Sequence, residues 1–198
     1  LQSRSDSEAI GFAVRVIHDG TWGFASGVAL TSNEVKRVTQ EAVEIAKISR
    51  PLNHERVELA AEPTHSNATW VSSYEIDPFS VDATEKVDRI SDLSARLLKS
   101  DFVQHSDASY GQVKENKFYA DTAGTSTTQQ RVRLICQIEA VHVNPQSGFE
   151  SMRTIAAPVG RGWEWLVGGP TAGQWDWDEE IARLPEELAA KATAPAVE

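Results

Sequence analysis

Apolar and polar positions alternate from Ile10 to His18, with Phe12, Val14 and Val16 on one face and Ala13, Arg15 and Ile17 on the other. A period of two is the mark of a half-buried strand. Asp19-Gly20 follows, a pair that tolerates positive φ and favours a tight hairpin turn. Trp22 to Ser26 is the expected return strand. The period then lengthens. Thr31-Ser32-Asn33-Glu34 reads as a capping box that opens a helix to about Ile48. Its buried stripe is Val35, Val38, Ala42, Ile45 and Ala46, and its wet face is Lys36, Arg37, Gln40, Glu41, Glu44 and Lys47. Pro51 ends it.

Leu52 to Pro78 is irregular apart from a short Thr69-Trp70-Val71 run. A second helix is predicted from Ala83 to Lys99, with Asp82 as N-cap and Val87, Ile90, Leu93, Leu97 and Leu98 facing inward. Glu85 with Arg89, and Asp92 with Arg96, have the spacing of favourable helical ion pairs. Beyond Phe102 the period returns to two. Val103 to Val113 alternates but is polar, Glu115-Asn116 is read as a turn into Lys117 to Asp121, and Thr122 to Thr125 is another turn. Gln129 to Val143 is the clearest strand, with Val132, Leu134, Cys136, Ile138 and Ala140 on one face and Arg131, Arg133, Gln137 and Glu139 on the other. Asn144 to Gly148 turns into Phe149 to Ala157, which suggests an antiparallel meander. A Gly- and Trp-rich stretch precedes an acidic helix from about Asp176, which Pro185 is expected to break or kink. The predicted class is α+β, with antiparallel sheet(s), two main helices packed on one side and a C-terminal acidic helix.

The composition is that of an ordinary globular chain: 198 residues, 40% apolar and 24% charged. A formal charge of −10 repels phosphate backbones and argues against nucleic acid as a general partner. No Lys/Arg cluster stands out along the chain, though a local basic patch stays compatible with it. With one cysteine, Cys136, no intrachain disulfide can form, and a reducing, cytoplasmic setting fits best. No apolar run approaches the ~20 residues of a membrane helix. The absence of an initial Met and the linker-like end at Thr193 to Glu198 lead us to expect a chain truncated at both ends.

Candidate chemistry is sparse. The histidines are His18, His54, His65, His105 and His142. His54-Glu55 begins like a zinc motif, but position 58 is Glu and Pro63 separates His54 from His65, so one helix cannot present both. The expectation is no metal and no catalytic residue in this segment. Cys136 sits on an apolar strand face, where a free thiol behaves as a small hydrophobe. Gly160-x-Gly162 is half a dinucleotide fingerprint with no strand–helix unit around it. The carboxylates after Asp176 complement a helix dipole and form no recognisable acid/base pair. Of the six tryptophans, Trp163, Trp165, Trp175 and Trp177 cluster, and with Trp22 they are the candidate substrate or interface residues. A small satellite core explains the cluster equally well.

Several stretches, taken in order, resemble the TldD/PmbA family of metallopeptidases, members of which were once called modulators of DNA gyrase. They are Gly11-Phe12-Ala13-Val14-Arg15-Val16-Ile17-His18-Asp19-Gly20-Thr21-Trp22-Gly23-Phe24-Ala25-Ser26, the helix after Thr31, Asp121 to Arg131 with its long strand, and Ser151-Met152-Arg153-Thr154 leading to Gly160-Arg161-Gly162-Trp163-Glu164. The resemblance implies a truncated N-terminal α+β domain over residues 1–174, with a helix and linker over residues 175–198 leading to a C-terminal catalytic domain. That domain would carry zinc on an H-E-x-x-x-H motif, which does not occur here, so no catalytic residue carries over. It also implies peptide substrates and a homodimer or a heterodimer with a paralogue; from charge and hydropathy, no nucleic acid or membrane partner is expected. The expected role is to shape a substrate cavity and dimer interface. The competing role is a non-hydrolytic binding or regulatory module, or an inactive partner subunit.

Overall fold

The Asp19-Gly20 pair adopts φ of 46° and 70°, the double positive φ that a two-residue hairpin turn demands. It joins β1 (Phe12–His18) to β2 (Thr21–Gly27) in antiparallel register from Phe12↔Gly27 to His18↔Thr21. The turn is braced from outside: Asp19 takes a 2.8 Å bond from Arg50 and pairs with Arg56 at 3.2 Å. The computed structural model describes residues 3–145, 148–168 and 175–195. Its contacts divide the chain into two units, Leu1–Pro63 and Thr64–Glu198.

In the first unit, α1 (Ser32–Ser49) lies on the hairpin. Thr31 Oγ1 caps it by accepting the Glu34 N–H at 3.3 Å. The reciprocal half of the expected capping box is not made, because Arg37 holds the Glu34 carboxylate at 2.7 Å. Val38, Ala42 and Ala46 are buried, and Val38 and Ala42 share a cluster with Ala25, against which Phe12, Val14 and Val16 pack. Gly23 lets the backbones approach so closely that a Cβ there would stand 1.8 Å from the Ala42 carbonyl oxygen. Val35 and Ile45, expected in the stripe, are exposed. A two-stranded hairpin is too narrow to cover more than the single row of small residues at i, i+4 and i+8.

The second unit is built on one long strand. β5 (Ser126–Asn144) pairs antiparallel with β4 (His105–Ala120) in an uninterrupted register from His105↔Val141 to Ala120↔Ser126. Its other side is shared by β3 (Ala68–Val71), which is parallel, and β6 (Gly148–Arg153), which is antiparallel. The sheet is therefore mixed, where a pure meander was expected. Two further expectations are corrected. Glu115-Asn116 is not a turn, since β4 runs straight through it with each residue paired to β5. β6 stops at Arg153 and does not reach Ala157. Part of the turn expected at Asn144 to Gly148 lies outside the described residues.

One face of this sheet is covered. Leu134, Cys136, Ile138 and Ala140 of β5 pack with Leu93 and Leu97 of α2 (Ala83–Leu97). The same cluster takes in Trp165 and Leu166 of α3 (Glu164–Val167) and Ile181, Leu184 and Leu188 of α4 (Trp177–Ala192). Leu98 is at the cap of α2 and exposed, not inward. Glu85 does not pair with Arg89 but accepts the Trp163 indole N–H at 3.0 Å. α4 continues through Pro185, which neither ends nor replaces its buried row of Ile181, Leu184 and Leu188. That row belongs to the second unit's core. Overall the chain is α+β, with each main helix lying on its own sheet.

Candidate functional site

Because side chains alternate along a strand, the odd-numbered residues of β5 and their partners on β4 face away from the helices. This second face is open. It carries Asp107, Ser109, Val113, Glu115 and Lys117 on β4 and Arg131, Arg133, Ile135, Gln137 and Glu139 on β5, all half-buried or exposed. Trp70 joins it through its pairing with Gln129 and is exposed. Apolar and charged groups are mixed here, as the polar alternation of the strands predicts. The register also assembles what the linear sequence hid: Lys117, Arg131 and Arg133 form a local basic group. The sign of it in sequence was Arg131-Val132-Arg133, which becomes legible only when the Thr122–Thr125 turn fixes which β4 residues stand opposite.

Among the described residues, the backbone beside this face has an edge with no strand partner. On the β6 side of β5, Leu134 bonds Val159 in both directions at 2.9 Å, and Ile138 N donates to Thr154 Oγ1 at 3.1 Å. Even-numbered amides of β5 thus point away from β4 and odd-numbered ones toward it. By the same alternation, the N–H and C=O groups of Ala108, Tyr110, Gln112, Lys114, Asn116 and Phe118 point outward from β4. Among the described residues β4 pairs only with β5. A long unpaired edge is a template for another strand. Lys114 is held toward the helix side by Asp77 at 2.7 Å, with its ammonium 4.8 Å from the Phe79 ring centre. Burial works against the Asp77 carboxylate, but Lys114 and the Phe79 N–H outweigh it and hold Asp77 below its ordinary range.

The five tryptophans picked from the sequence separate cleanly. Trp163, Trp165 and Trp177 are core residues, 1%, 4% and 2% exposed. Trp165 and Trp177 meet edge to face at 5.0 Å, and Trp177 Nε1 donates to the Trp165 carbonyl at 2.9 Å. All three belong to the main core cluster of the second unit and not to a separate satellite core. Trp175 is partly exposed and donates its indole N–H to Glu180. Trp22 is exposed on the outer face of the β1–β2 hairpin beside Phe24, with the Arg15 guanidinium 5.5 Å from its ring centre.

Groups able to bind a metal or act as nucleophiles are dispersed. Among the described residues, no three His, Cys, Asp or Glu side chains converge to hold a metal ion. The described residues therefore offer no donor set that fits a catalytic metal. His54 and His65 are both exposed, in different units. His142 stacks on Phe102 at 3.8 Å and its Nδ1 lies 2.9 Å from the Phe102 carbonyl. Cys136 is buried in the core, and burial pushes its thiol up to about 12. Among the described residues no helix is long and apolar enough to cross a membrane.

Comparison with known proteins places these units. The family model described as PmbA/TldA metallopeptidase domain 1 matches residues 1–46, and the one described as PmbA/TldA metallopeptidase central domain matches residues 76–195. Among solved structures, a proposed modulator of DNA gyrase from Thermotoga maritima is similar with a TM-score of 0.61 at 15% identity, over 94% of this chain and 38% of that one. Another from Bacteroides thetaiotaomicron gives a TM-score of 0.65 at 12% identity, over 95% of this chain and 41% of that one. The chain thus spans about two fifths of the length of these structures, and at such identities the likeness is one of fold. No curated protein matches the chain.

Proposed function

The chain belongs to the PmbA/TldA metallopeptidase family, and from that premise we propose that it is a non-catalytic, substrate-holding part of a zinc peptidase that acts on unfolded or small peptides. The chemistry, a zinc ion activating water for amide hydrolysis, is assigned to a domain outside these residues. No step of it is assigned to a side chain of this chain.

The observation that carries the reading is the unpaired edge of β4 beside an open, mixed-polarity face. An extended peptide added there satisfies its main chain against outward N–H and C=O groups whatever its sequence, which suits a peptidase of broad range. A folded protein hides its backbone and cannot add in this way. The exposed outer face of the β1–β2 hairpin, with Trp22, Phe24 and Arg15, is the surface we assign to the dimer contact that the family resemblance implies. A reducing cytoplasmic setting accords with the single buried thiol.

The test uses proline as an edge blocker. Asn116→Pro removes an outward N–H without touching a β4–β5 ladder bond. An unstructured peptide should bind the chain uncleaved, and Asn116→Pro should weaken binding about tenfold while leaving the melting temperature within a few degrees. Cleavage by the chain itself, or undiminished binding to the variant, would refute the reading.

A further inference from the structure

The uninterrupted β4–β5 register sets Glu115 opposite Arg131, Lys117 opposite Gln129 and Val113 opposite Arg133, all on the open face. Arg133 bonds Glu115 at 2.7 Å. Arg131 donates to Gln129 Oε1, and among the described residues neither Arg131 nor Lys117 takes part in an ion pair. Three cations therefore meet a single carboxylate within a few rungs, in a chain whose formal charge is −10. The other end of the face has a different balance, with Glu139 between Asp107 and Arg153. The basic group is local, and it borders the stretch of free edge at Asn116 and Phe118.

We propose that Lys117, Arg131 and Arg133 form a carboxylate-selecting subsite for an extended peptide, which binds best when Asp or Glu side chains fall on its open-face positions there. The proposal rests on the reading that the β4 edge takes up peptide, and it adds a preference to that reading. A strand added to β4 lies ~4.8 Å from it, so an open-face carboxylate has Lys117 as immediate neighbour. Arg131 and Arg133 form the next row, at about 10 Å, a distance comparable to a Debye length at ordinary salt. Glu115 offers little opposition, because Arg133 already binds it and Arg131 stands across from it. The acidic remainder of the chain disfavours a polyanion such as nucleic acid, whose phosphates would extend beyond three cations.

The experiment measures binding of fluorophore-labelled decapeptides, acetylated and amidated so that only side chains carry charge. One has Glu at two alternate positions and the other Gln. The Glu peptide should bind roughly fivefold more tightly at low salt, as one or two exposed pairs permit. That preference should vanish at high salt and in the Lys117→Gln/Arg131→Gln variant. It should turn toward a Lys peptide in Lys117→Glu/Arg131→Glu. Lys117 is exposed and Arg131 half-buried, and thermal melts check that both variants fold. Equal affinity for the Glu and Gln peptides would overturn the subsite while leaving edge binding intact. Binding of neither peptide would overturn both. A single-stranded oligonucleotide that outcompetes the Glu peptide would overturn the assignment to peptide.

Discussion

The buried carboxylate of Glu164 accepts the backbone N–H of Ile76 at 3.0 Å across 88 positions of the chain, and that of Gly162 at 2.8 Å. It fastens the segment between β3 and α2 to the start of α3. Gly162 is required beside it, because a Cβ there would stand 2.2 Å from the Ile76 carbonyl oxygen.

This clasp makes stability sensitive to acid. Burial pushes the Glu164 carboxyl up, but the amides of Ile76 and Gly162 outweigh it and hold the group below its ordinary range. A carboxyl depressed in the folded state contributes stability above its unfolded value of about 4.3 and loses it as pH falls through the folded value. Glu164→Gln should cost about 1–3 kcal/mol at pH 7. The difference from the parent should shrink as pH falls below about 5, where the parent begins to lose the same contribution. Thermal melts across that range measure it, and a difference constant with pH would contradict it.

Gly23→Ala drives a methyl group into the backbone of α1 and should destabilise the first unit by about 1–3 kcal/mol. Hydrogen exchange of the β1 and β2 amides would show it directly. Ser26→Ala, on the open side of the same hairpin, should leave their protection unchanged.

The tryptophans should divide by burial. Trp177→Ala removes a core ring and the bond to the Trp165 carbonyl, and should cost about 3–5 kcal/mol in denaturant melts. Trp22→Ala, at an exposed position, should stay within about 0.5 kcal/mol of the parent. Comparable losses at the two sites would mean that Trp22 is not the surface residue described.

Sequence alone carried the hairpin, both main helices and the central strand, because each rests on local signals: Asp19-Gly20, Thr31 and Asp82 as caps, and the alternation from Val132 to Ala140. It failed where partners distant in sequence decide. Glu115-Asn116 looks like a turn, yet the cross-strand partners Arg131 and Gln130 keep both residues extended. Pro185 looks like a break, yet the core holds Ile181, Leu184 and Leu188 in one helical row. The basic group of Lys117, Arg131 and Arg133 is invisible without register, and the burial of Trp163, Trp165 and Trp177 is invisible without knowing which elements enclose them. Resemblance supplied the family; the residues themselves supplied no catalytic site.

Cys136 should be inert in the folded chain. With its thiol pushed up to about 12 and its side chain in the core, the thiolate fraction at pH 8 is of the order of 10⁻⁴. Labelling by a thiol reagent should be slow in buffer and immediate in denaturant, and Cys136→Ala should cost about 1 kcal/mol of stability. Rapid labelling of the folded protein would contradict this.

The central claim is that the outer edge of β4 takes up extended peptide, and hydrogen exchange at that edge tests it most directly. The N–H groups of Tyr110, Gln112, Lys114 and Asn116 point outward, so in the free chain they should exchange much faster than those of Gly111 and Val113, which bond to β5. Saturating unstructured peptide should slow the outward set at least tenfold and leave the inward set as it was. Outward amides that exchange at the same rate with and without bound peptide would contradict the account.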